Sequence, residues 1–259
     1  MRVDLQLLAK VETIAREAAA VIRDIYESDF AVEAKDDATP VTRADEEAEA
    51  VIVAGLRRLD AQLPIVAEES VAAGRIPRVD GSRGRFWLVD PLDGTREFIS
   101  RNGEFTVNIA LIECGAPVLG VVLAPALDAL FCGIPGTVAI REDADGRKSL
   151  RCRTVPAEGL AVVASRSHGD ERALDAFLAG RRVASRVNAG SSLKLCLLAE
   201  GRADLYPRLG RTMEWDIAAG HAVLEAAGGA VVRLDDGTAL RYGKPGFENP
   251  HFIARGLGA

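Results

Sequence analysis

The sequence predicts a layered fold of the α+β and α/β classes, in which helices pack on two sheets. The chain has 259 residues, 48% of them hydrophobic, which is enough for one large domain or two small ones. The chain begins with helical periodicity, and segments with the pattern of short strands follow it. This order predicts N-terminal helices plus an antiparallel sheet up to about residue 145. Beyond that point strands alternate with helices, which predicts a C-terminal α/β half.

In the first half, apolar residues spaced three and four apart predict a long amphipathic helix, and a KDDATP loop separates it from a second helix. Short strands follow. One of them comes after an Asn102-Gly103 turn, and its alternation of apolar and polar residues predicts a half-buried strand. The predicted helices cover about residues 8–25 and 42–59, and the predicted strands cover 63–67, 86–89, 104–112, 118–123 and 129–132.

In the second half, the predicted strands cover residues 161–164, 182–187, 203–206 and 231–234, and the predicted helices cover 170–179, 191–199 and 216–227. The polar, glycine-containing stretch at residues 142–148 lies between these two patterns of secondary structure and has the composition of a connecting loop. We therefore expect one domain over residues 1–147 and a second over residues 148–259.

Composition and charge exclude several classes of protein. The net charge of −6 argues against a nucleic-acid-binding surface, which normally carries a basic excess. The four cysteines form no C-x-x-C pair and fit a reducing cytosol better than a disulfide framework. Charged residues interrupt any signal peptide at the N-terminus, and no run reaches the roughly 18 apolar residues of a membrane span. We expect a cytoplasmic protein without a transmembrane segment, with peripheral association with the inner membrane left open.

The stretch WLVDPLDGT ends an apolar run in two carboxylates, Asp90 and Asp93. Pro91 cannot donate a ladder hydrogen bond, so the strand is predicted to end there, and Gly94 permits a tight turn before a helix that opens at Thr95. Both carboxylates would then lie near a helix N-terminus, which favours anions. Clustered acids repel unless a proton or a cation lies between them, and oxygen ligands suit a hard cation such as Mg²⁺.

Each acidic motif also has a plain structural interpretation. Asp-Gly is common in turns, so Asp93 could simply belong to a turn. It could also cap the helix that follows. Glu68 and Glu69 follow a short strand and could be a solvated pair. Asp45 has the spacing of a capping box with the threonine three residues before it, and Asp216 stands where a helix begins, as a favoured N-cap.

The order of these motifs resembles a known family. Asp45, Glu68-Glu69, the DPLDGT segment and Trp215-Asp216 follow one another as in the Mg²⁺-dependent, lithium-sensitive phosphatase superfamily that includes inositol monophosphatase. WLVDPLDGT and EWDIAAGHAVLEAAGG are similar to its two signatures, and the resemblance covers nearly the whole chain. DPLDGTREFISRNGEFTVNIALIE, ASRSH and GSSLKLCLLAEGRADLYPRLGRTMEWD resemble the CysQ type of 3′(2′),5′-bisphosphate nucleotidase. The implied fold is the αβαβα sandwich of the sugar phosphatases.

The resemblance implies two or three Mg²⁺ ions in the first domain, with the second domain supplying the last ligand and the nucleotide contacts. The implied metal ligands are the side chains of Glu68, Asp90, Asp93 and Asp216, the main-chain carbonyl of Leu92, and Glu69 for a looser third ion. Asp45 would accept from the Thr95 hydroxyl, and Thr95 would accept from the attacking water. Gly94 and Thr95 would donate backbone N–H groups to the scissile phosphate.

The substrate depends on other residues, because a nucleoside bisphosphate needs a second anion site. Lys194 places a charge on an otherwise apolar helix, although the side chain could instead snorkel to solvent. By resemblance, Ser191, Lys194 and Arg208 contact the nucleotide, and His168 lies near the base or ribose. Gly169 stands where related sequences often carry a second histidine, which leaves the base contact open.

The implied activity is hydrolysis of the 3′-phosphate of 3′-phosphoadenosine-5′-phosphate, giving AMP and phosphate, in sulfate assimilation. The expected protein is a monomer or homodimer that binds a small nucleotide bisphosphate and no nucleic acid. An inositol-1-monophosphatase or a broad sugar (bis)phosphatase is the first alternative, and a non-catalytic nucleotide-binding regulator is the second. The chain has no G-x-S-x-G elbow, no P-loop and no zinc-ligand spacing among its three histidines.

Overall fold

The first half of the chain folds into helices, a short hairpin and a seven-stranded sheet. A computed structural model describes residues 2–28, 31–34, 40–165 and 171–259. The elements of this half are α1 (Leu5–Tyr26), β1 (Val32–Ala34), β2 (Pro40–Thr42), α2 (Arg43–Leu59), β3 (Ile65–Ala67), α3 (Glu68–Ala72), β4 (Arg85–Asp93), α4 (Thr95–Ile99), β5 (Thr106–Glu113), β6 (Ala116–Ala124), β7 (Ala129–Ile134), β8 (Val138–Asp143) and β9 (Gly146–Ser149).

The second half forms a five-stranded sheet with helices on both faces. Its elements are β10 (Leu160–Ser165), α5 (Glu171–Leu178), β11 (Val183–Ala189), α6 (Leu193–Ala199), β12 (Leu205–Arg208), α7 (Glu214–Ala226), β13 (Ala230–Arg233) and β14 (Phe252–Arg255). The strand order is β11-β10-β12-β14-β13. The pairs among β10, β11 and β12 are parallel, whereas β14 runs antiparallel to both of its neighbours.

The elements stack in five layers, which confirms the predicted αβαβα sandwich. The apolar stripes of α1 and α2 pack on one face of the seven-stranded sheet. On its other face, α6 and α7 lie between the two sheets and bury the largest core cluster. The helix α5 covers the outer face of the five-stranded sheet. Both faces of the first sheet are therefore largely buried from β4 to β7, so polar residues on either face of these strands need internal partners.

The first sheet follows chain order from β3 to β9. Its pairs are antiparallel as predicted, except that β3 runs parallel to β4. The predicted strand end at Pro91 is wrong, because β4 continues to Asp93 through a register irregularity. The prediction that β5 is half-buried is also wrong. Its polar face is covered by the residues that begin α6. Five strands, β1, β2, β8, β9 and β14, and the short helix α3 have no counterpart among the predicted elements.

The predicted boundary at residues 142–148 falls in the hairpin that joins β8 and β9, both of which belong to the first sheet. The first strand of the second sheet begins at Leu160. The division into domains 1–147 and 148–259 stays a prediction. Among the residues that the structure describes, no helix combines the length and the apolar character needed to cross a bilayer.

Candidate active site

A one-residue bulge in β4 brings Asp90 and Asp93 to the same face of the sheet. Asp90 lies opposite Asn108 and Asp93 opposite Thr106, so three steps along β4 match two steps along β5. Thr106 and Asn108 share a face because side chains in a strand alternate with a period of two. In a regular strand Asp90 and Asp93 would point to opposite faces. The bulge turns one of the two side chains to the other face. Because the extra residue of a bulge is unpaired in the ladder, this position also tolerates Pro91, which has no N–H group.

The carboxylate of Asp45 joins the start of α2 to the start of α4. Asp45 Oδ2 accepts from the Thr42 backbone N–H and from the Thr42 hydroxyl, both at 2.8 Å, which confirms the predicted capping box. Asp45 Oδ1 accepts from the Thr95 hydroxyl at 3.1 Å. Because Asp45 is only 1% exposed, its orientation is fixed by these contacts. Thr95 thus points its proton at a carboxylate, which leaves its oxygen lone pairs available to accept from another group.

Glu68 reaches the same edge of the sheet through strand pairing. It is the first residue of α3 and directly follows β3. The parallel register of β3 and β4 places Ala67 opposite Val89, so Glu68, just after β3, and Asp90, within β4, lie at the same level of the sheet. The prediction that a carboxylate after the short strand reaches the neighbouring strand is confirmed, although Asp90 lies within β4 and not at its end.

Asp216 comes from the second half of the chain, at the third position of α7. Its Oδ2 accepts from the backbone N–H of Met213, which occupies the N-cap position, at 2.9 Å. The interpretation of Asp216 as the N-cap itself is wrong, because the helix begins two residues earlier, at Glu214. One carboxylate oxygen therefore closes the helix start, and the side chain still reaches the carboxylates of the first sheet.

Glu68, Asp90 and Asp216 form a compact group of acids, which we call the carboxylate triad. Each offers one oxygen, and these oxygens lie within 4.8 Å of one another. Burial, followed by repulsion from neighbouring carboxylates, holds the pKa values of Asp90 and Asp216 well above the usual range. A cation between the acids would remove this repulsion. An all-oxygen donor set of this kind fits a hard divalent cation such as Mg²⁺.

Asp93 lies beside the carboxylate triad and is held from the second half of the chain. The Ser191 hydroxyl donates to Asp93 Oδ2 at 2.7 Å. Burial raises the pKa of Asp93, while the positive charge of Lys194 and the Ser191 hydrogen bond act against that rise. The predicted nucleotide contact at Ser191 stays a prediction, and the structure adds a contact of this hydroxyl with an acidic residue of the site.

A cavity next to Asp93 contains two buried cations. Lys194 is only 7% exposed, so the interpretation of a lysine that snorkels to solvent is wrong. Burial lowers the pKa of Lys194 to about 8, and the acid Asp93 partly offsets that effect. Arg208 donates to the Arg211 carbonyl at 2.7 Å, and its buried Nε has no hydrogen-bond partner among the described residues. The lining residues are Asp93, Glu97, Ser165, Gly190, Ser191, Ser192, Lys194, Leu195, Tyr206, Arg208, Thr212, Asp216 and Ile217.

The remaining predicted residues lie around this centre in different ways. Gly94 has a φ of 94° at the N-cap of α4, a left-handed conformation that favours glycine. The Leu92 carbonyl oxygen lies 3.4 Å from the Thr95 hydroxyl and is a more distant acceptor for its single proton than Asp45, at 3.1 Å. Glu69 lines a separate groove between α2 and α3 and is not part of the carboxylate triad. His168 lies outside the described residues. The catalytic, metal and substrate roles of all these residues stay predictions.

Sequence reasoning missed several residues that support the site. Glu49 of α2 accepts from the Glu69 backbone N–H at 2.7 Å and from the Ser70 hydroxyl, so it caps the helix that carries Glu68. Thr106 and Asn108 are buried beneath Asp93 and Asp90. The available signal was their place two residues apart in an otherwise apolar strand, which predicts one polar face but not its burial.

Comparisons with known proteins give a consistent result. The model of a family described as the inositol monophosphatase family matches residues 4–255. A protein of Salmonella typhimurium named 3′(2′),5′-bisphosphate nucleotidase CysQ is 46% identical over 249 residues, covering 95% of this chain and 98% of that protein. The protein of the same name in Escherichia coli K12 is 45% identical with the same coverage.

Solved structures agree with the sequence comparisons. CysQ from Bacteroides thetaiotaomicron, described as a bacterial member of the inositol monophosphatase family, superposes with a TM-score of 0.80 at 35% identity and covers 97% of both chains. An inositol monophosphatase from Anabaena has a TM-score of 0.76 at 28% identity, covering 98% of this chain and 91% of that one.

Proposed function

The chain belongs to the inositol monophosphatase family, and from this membership and the geometry of its cavity we propose that it is a Mg²⁺-dependent 3′(2′),5′-bisphosphate nucleotidase. The observation that carries the proposal is the position of the carboxylate triad next to a cavity that holds Lys194 and Arg208. In this proposal the enzyme hydrolyses the 3′-phosphate of 3′-phosphoadenosine-5′-phosphate to give AMP and phosphate. We place this reaction in sulfate assimilation in the cytoplasm, in a monomer or homodimer.

In the proposed site, Glu68, Asp90, Asp93 and Asp216 would hold two or three Mg²⁺ ions, helped by the Leu92 carbonyl and, for the loosest ion, Glu69. When bound, Mg²⁺ would supply positive charge that neutralises the phosphate oxygens and lowers the pKa of a coordinated water. The support for this assignment is the donor set itself. Burial and repulsion from neighbouring carboxylates raise the pKa values of two of its acids, Asp90 and Asp216, and a bound cation would relieve that repulsion.

The protein's own groups position the attacking water and the phosphate. Asp45 accepts a hydrogen bond from the Thr95 hydroxyl, so the Thr95 oxygen is oriented to accept a hydrogen bond from the attacking water. The backbone N–H groups of Gly94 and Thr95, at the start of α4, would donate to the scissile phosphate. Asp45 is buried and bonded to the N-terminus of α2, so its carboxylate needs no rearrangement to do this.

Lys194 and Arg208 would bind the second phosphate, which distinguishes a nucleoside bisphosphate from a sugar monophosphate. Both side chains are buried, and a buried cation is costly unless it is paired. Acids of the site supply part of the charge that Lys194 needs, and Arg208, which lines the cavity, has a buried Nε without a hydrogen-bond partner among the described residues. A phosphate dianion would satisfy both cations. Ser191 and His168 are the further proposed nucleotide contacts.

A substrate panel tests this function directly. With saturating Mg²⁺, we expect phosphate release from 3′-phosphoadenosine-5′-phosphate at a higher kcat/KM than from inositol 1-phosphate or fructose 1,6-bisphosphate. A preference for either sugar phosphate would favour the broad sugar-phosphatase alternative. Binding of the bisphosphate without any release of phosphate would favour the non-catalytic regulator.

Lithium is expected to inhibit the enzyme in the millimolar range or below, since resemblance to the lithium-sensitive phosphatases implies that it occupies one Mg²⁺ position. The measurement is the initial rate at several LiCl concentrations, each at limiting and at saturating Mg²⁺. Matched NaCl and KCl additions control for ionic strength. A lithium curve that coincides with the sodium curve at limiting Mg²⁺ would contradict the proposed metal site.

A further inference from the structure

The polar face of β5 is buried directly beneath the proposed metal site. Thr106 is 0% exposed and Asn108 is 1% exposed, and both face the loop that precedes α6. Burying a polar group is costly unless it is hydrogen-bonded. A strand inside a sandwich is more simply built from apolar residues, as the other face of β5 is. These two positions therefore call for an explanation in terms of what they contact.

Thr106 and Asn108 belong to a continuous chain of short contacts that ends on Asp93. Asp93 Oδ2 lies 2.7 Å from Ser191 Oγ, and Ser191 Oγ is in close contact with Thr106 Oγ1. Thr106 Oγ1 lies 2.8 Å from Ser192 Oγ, which lies 2.7 Å from the side-chain amide of Asn108. The chain joins β4 and β5 of the first sheet to the start of α6. We call Ser191, Thr106, Ser192 and Asn108 the hydroxyl chain.

Counting protons fixes the direction of each bond, because a hydroxyl has a single proton to donate. Ionised Asp93 only accepts, so Ser191 donates to it. Thr106 must then donate to Ser191, and Ser192 must donate to Thr106. The proton of Ser192 is thereby used, so Asn108 must present its Nδ2 donor to Ser192.

The structure places Asn108 Oδ1 towards Ser192, and this amide orientation leaves one contact of the hydroxyl chain without a proton. With Oδ1 towards Ser192, the Ser192 hydroxyl donates to Asn108 and no proton remains for its contact with Thr106. Asn108 Nδ2 is then buried without a hydrogen-bond partner among the described residues. Turning the amide restores one proton to every contact, so that each donor in the chain points towards Asp93.

The backbone of Ser191 gives a second, independent indication that this arrangement is imposed. Ser191 has a φ of 52°, in the left-handed region that residues other than glycine seldom adopt. Such a conformation is strained for a residue with a side chain and persists where the surroundings determine it. It places Ser191 Oγ where it also accepts from the backbone N–H of Ser192 at 2.6 Å. The hydroxyl is thus held by three neighbours, with its proton aimed at Asp93.

We propose that Thr106 is a positioning residue that fixes the orientation of Asp93 through Ser191. The hydroxyl chain occupies Asp93 Oδ2, whereas Oδ1 receives no hydrogen bond from the described residues and is left for a cation. This inference rests on the proposed function, since it assumes that Asp93 is a Mg²⁺ ligand. Removing a residue that hydrogen-bonds to a metal ligand typically lowers the metal affinity by about 10- to 100-fold. We expect Thr106 to act near the lower end of that range.

The test compares Thr106→Val, which keeps the shape of the side chain but removes the hydroxyl, with Thr106→Ser, which keeps the hydroxyl. Calorimetric titration with MgCl₂ alone, without substrate, measures the metal affinity of each. Thr106→Val is expected to weaken Mg²⁺ binding about tenfold, and Thr106→Ser to remain near wild type. In kinetic assays, the Mg²⁺ concentration for half-maximal rate should rise for Thr106→Val, while kcat at saturating Mg²⁺ largely recovers.

Melting temperatures in EDTA show whether each variant is folded. If Thr106→Val does not fold, Ser192→Ala removes the next link of the hydroxyl chain and takes its place in the same titration. Unchanged Mg²⁺ affinity in the folded variant overturns the positioning role, as does equal weakening in Thr106→Val and Thr106→Ser. A wild-type protein that binds no Mg²⁺ and hydrolyses no bisphosphate overturns the proposed function instead, so the two failures are distinguishable.

Discussion

Asp90→Asn is expected to abolish phosphate release while leaving the fold intact. Asparagine has nearly the same shape, and its side-chain oxygen can still accept from the Leu92 backbone N–H, as Asp90 does at 3.1 Å. A neutral amide cannot balance the charge of Mg²⁺. Because losing a mere partner of a metal ligand costs about 10- to 100-fold, losing the ligand itself should lower kcat/KM by more than about a hundredfold.

Thermal unfolding separates this effect from damage to the fold. In EDTA, Asp90→Asn should melt no lower than the wild type, since it removes a buried carboxyl group whose pKa is raised by burial and by repulsion from neighbouring acids. The rise in melting temperature on adding Mg²⁺ should be much smaller than in the wild type, because a ligand stabilises only the state that binds it. An active variant with normal Mg²⁺ dependence would refute the assignment.

Asp216→Asn is the matched variant at the other end of the carboxylate triad. Its amide oxygen can keep the hydrogen bond from the Met213 backbone N–H, so the start of α7 should be preserved. If Asp216 serves only to close the helix, activity and Mg²⁺ dependence should survive this change. If it is a ligand, activity should be lost at an unchanged melting temperature in EDTA.

Lys194→Ala is expected to weaken turnover of 3′-phosphoadenosine-5′-phosphate about ten- to a hundredfold in kcat/KM. The reason is that a charge-assisted hydrogen bond to the second phosphate is worth roughly 1.5–3 kcal/mol. A substrate with a single phosphate does not use that bond. The same variant should therefore barely change kcat/KM for inositol 1-phosphate, provided that the enzyme turns this substrate over.

The comparison between substrates matters because Lys194 also lies near Asp93 and influences its pKa. Lys194→Met keeps the aliphatic stem and fills the space that alanine would leave, so it controls for repacking around Tyr206, whose ring centroid lies 5.6 Å from Lys194 Nζ. The Mg²⁺ dependence of both variants shows whether the metal site has changed. A loss of equal size for both substrates would contradict a role in binding the second phosphate, and no loss for either would remove Lys194 from the mechanism.

Local sequence patterns were sufficient to predict the layered fold and the acids of the site. Helical and strand periodicities are local properties, so the two long N-terminal helices and most strands could be predicted from them. The acids were recognisable because each follows a strand or opens a helix, and because Asp45, Asp90, Asp93 and Asp216 occur in a familiar order. The capping box at Asp45 was also predictable, since its partners lie within three residues.

The orientation and the burial of these side chains depend on strand register and on packing between layers, which local sequence patterns do not specify. The register between β4 and β5 creates the bulge that turns Asp90 and Asp93 to one face, although Pro91 by itself suggested that the strand stops. The stacking of two sheets around α6 buries Lys194, whose charge alone is equally compatible with a solvated side chain.

The hydroxyl chain shows the same limit of sequence reasoning. Its members Thr106 and Ser191 are 85 residues apart in the chain and meet only because β5 packs against the start of α6. Periodicity specifies which side of a strand a residue occupies, but what covers that side depends on contacts between distant segments. The identity of the acids is therefore written in the sequence, whereas their orientation is set by strand register and by packing between layers.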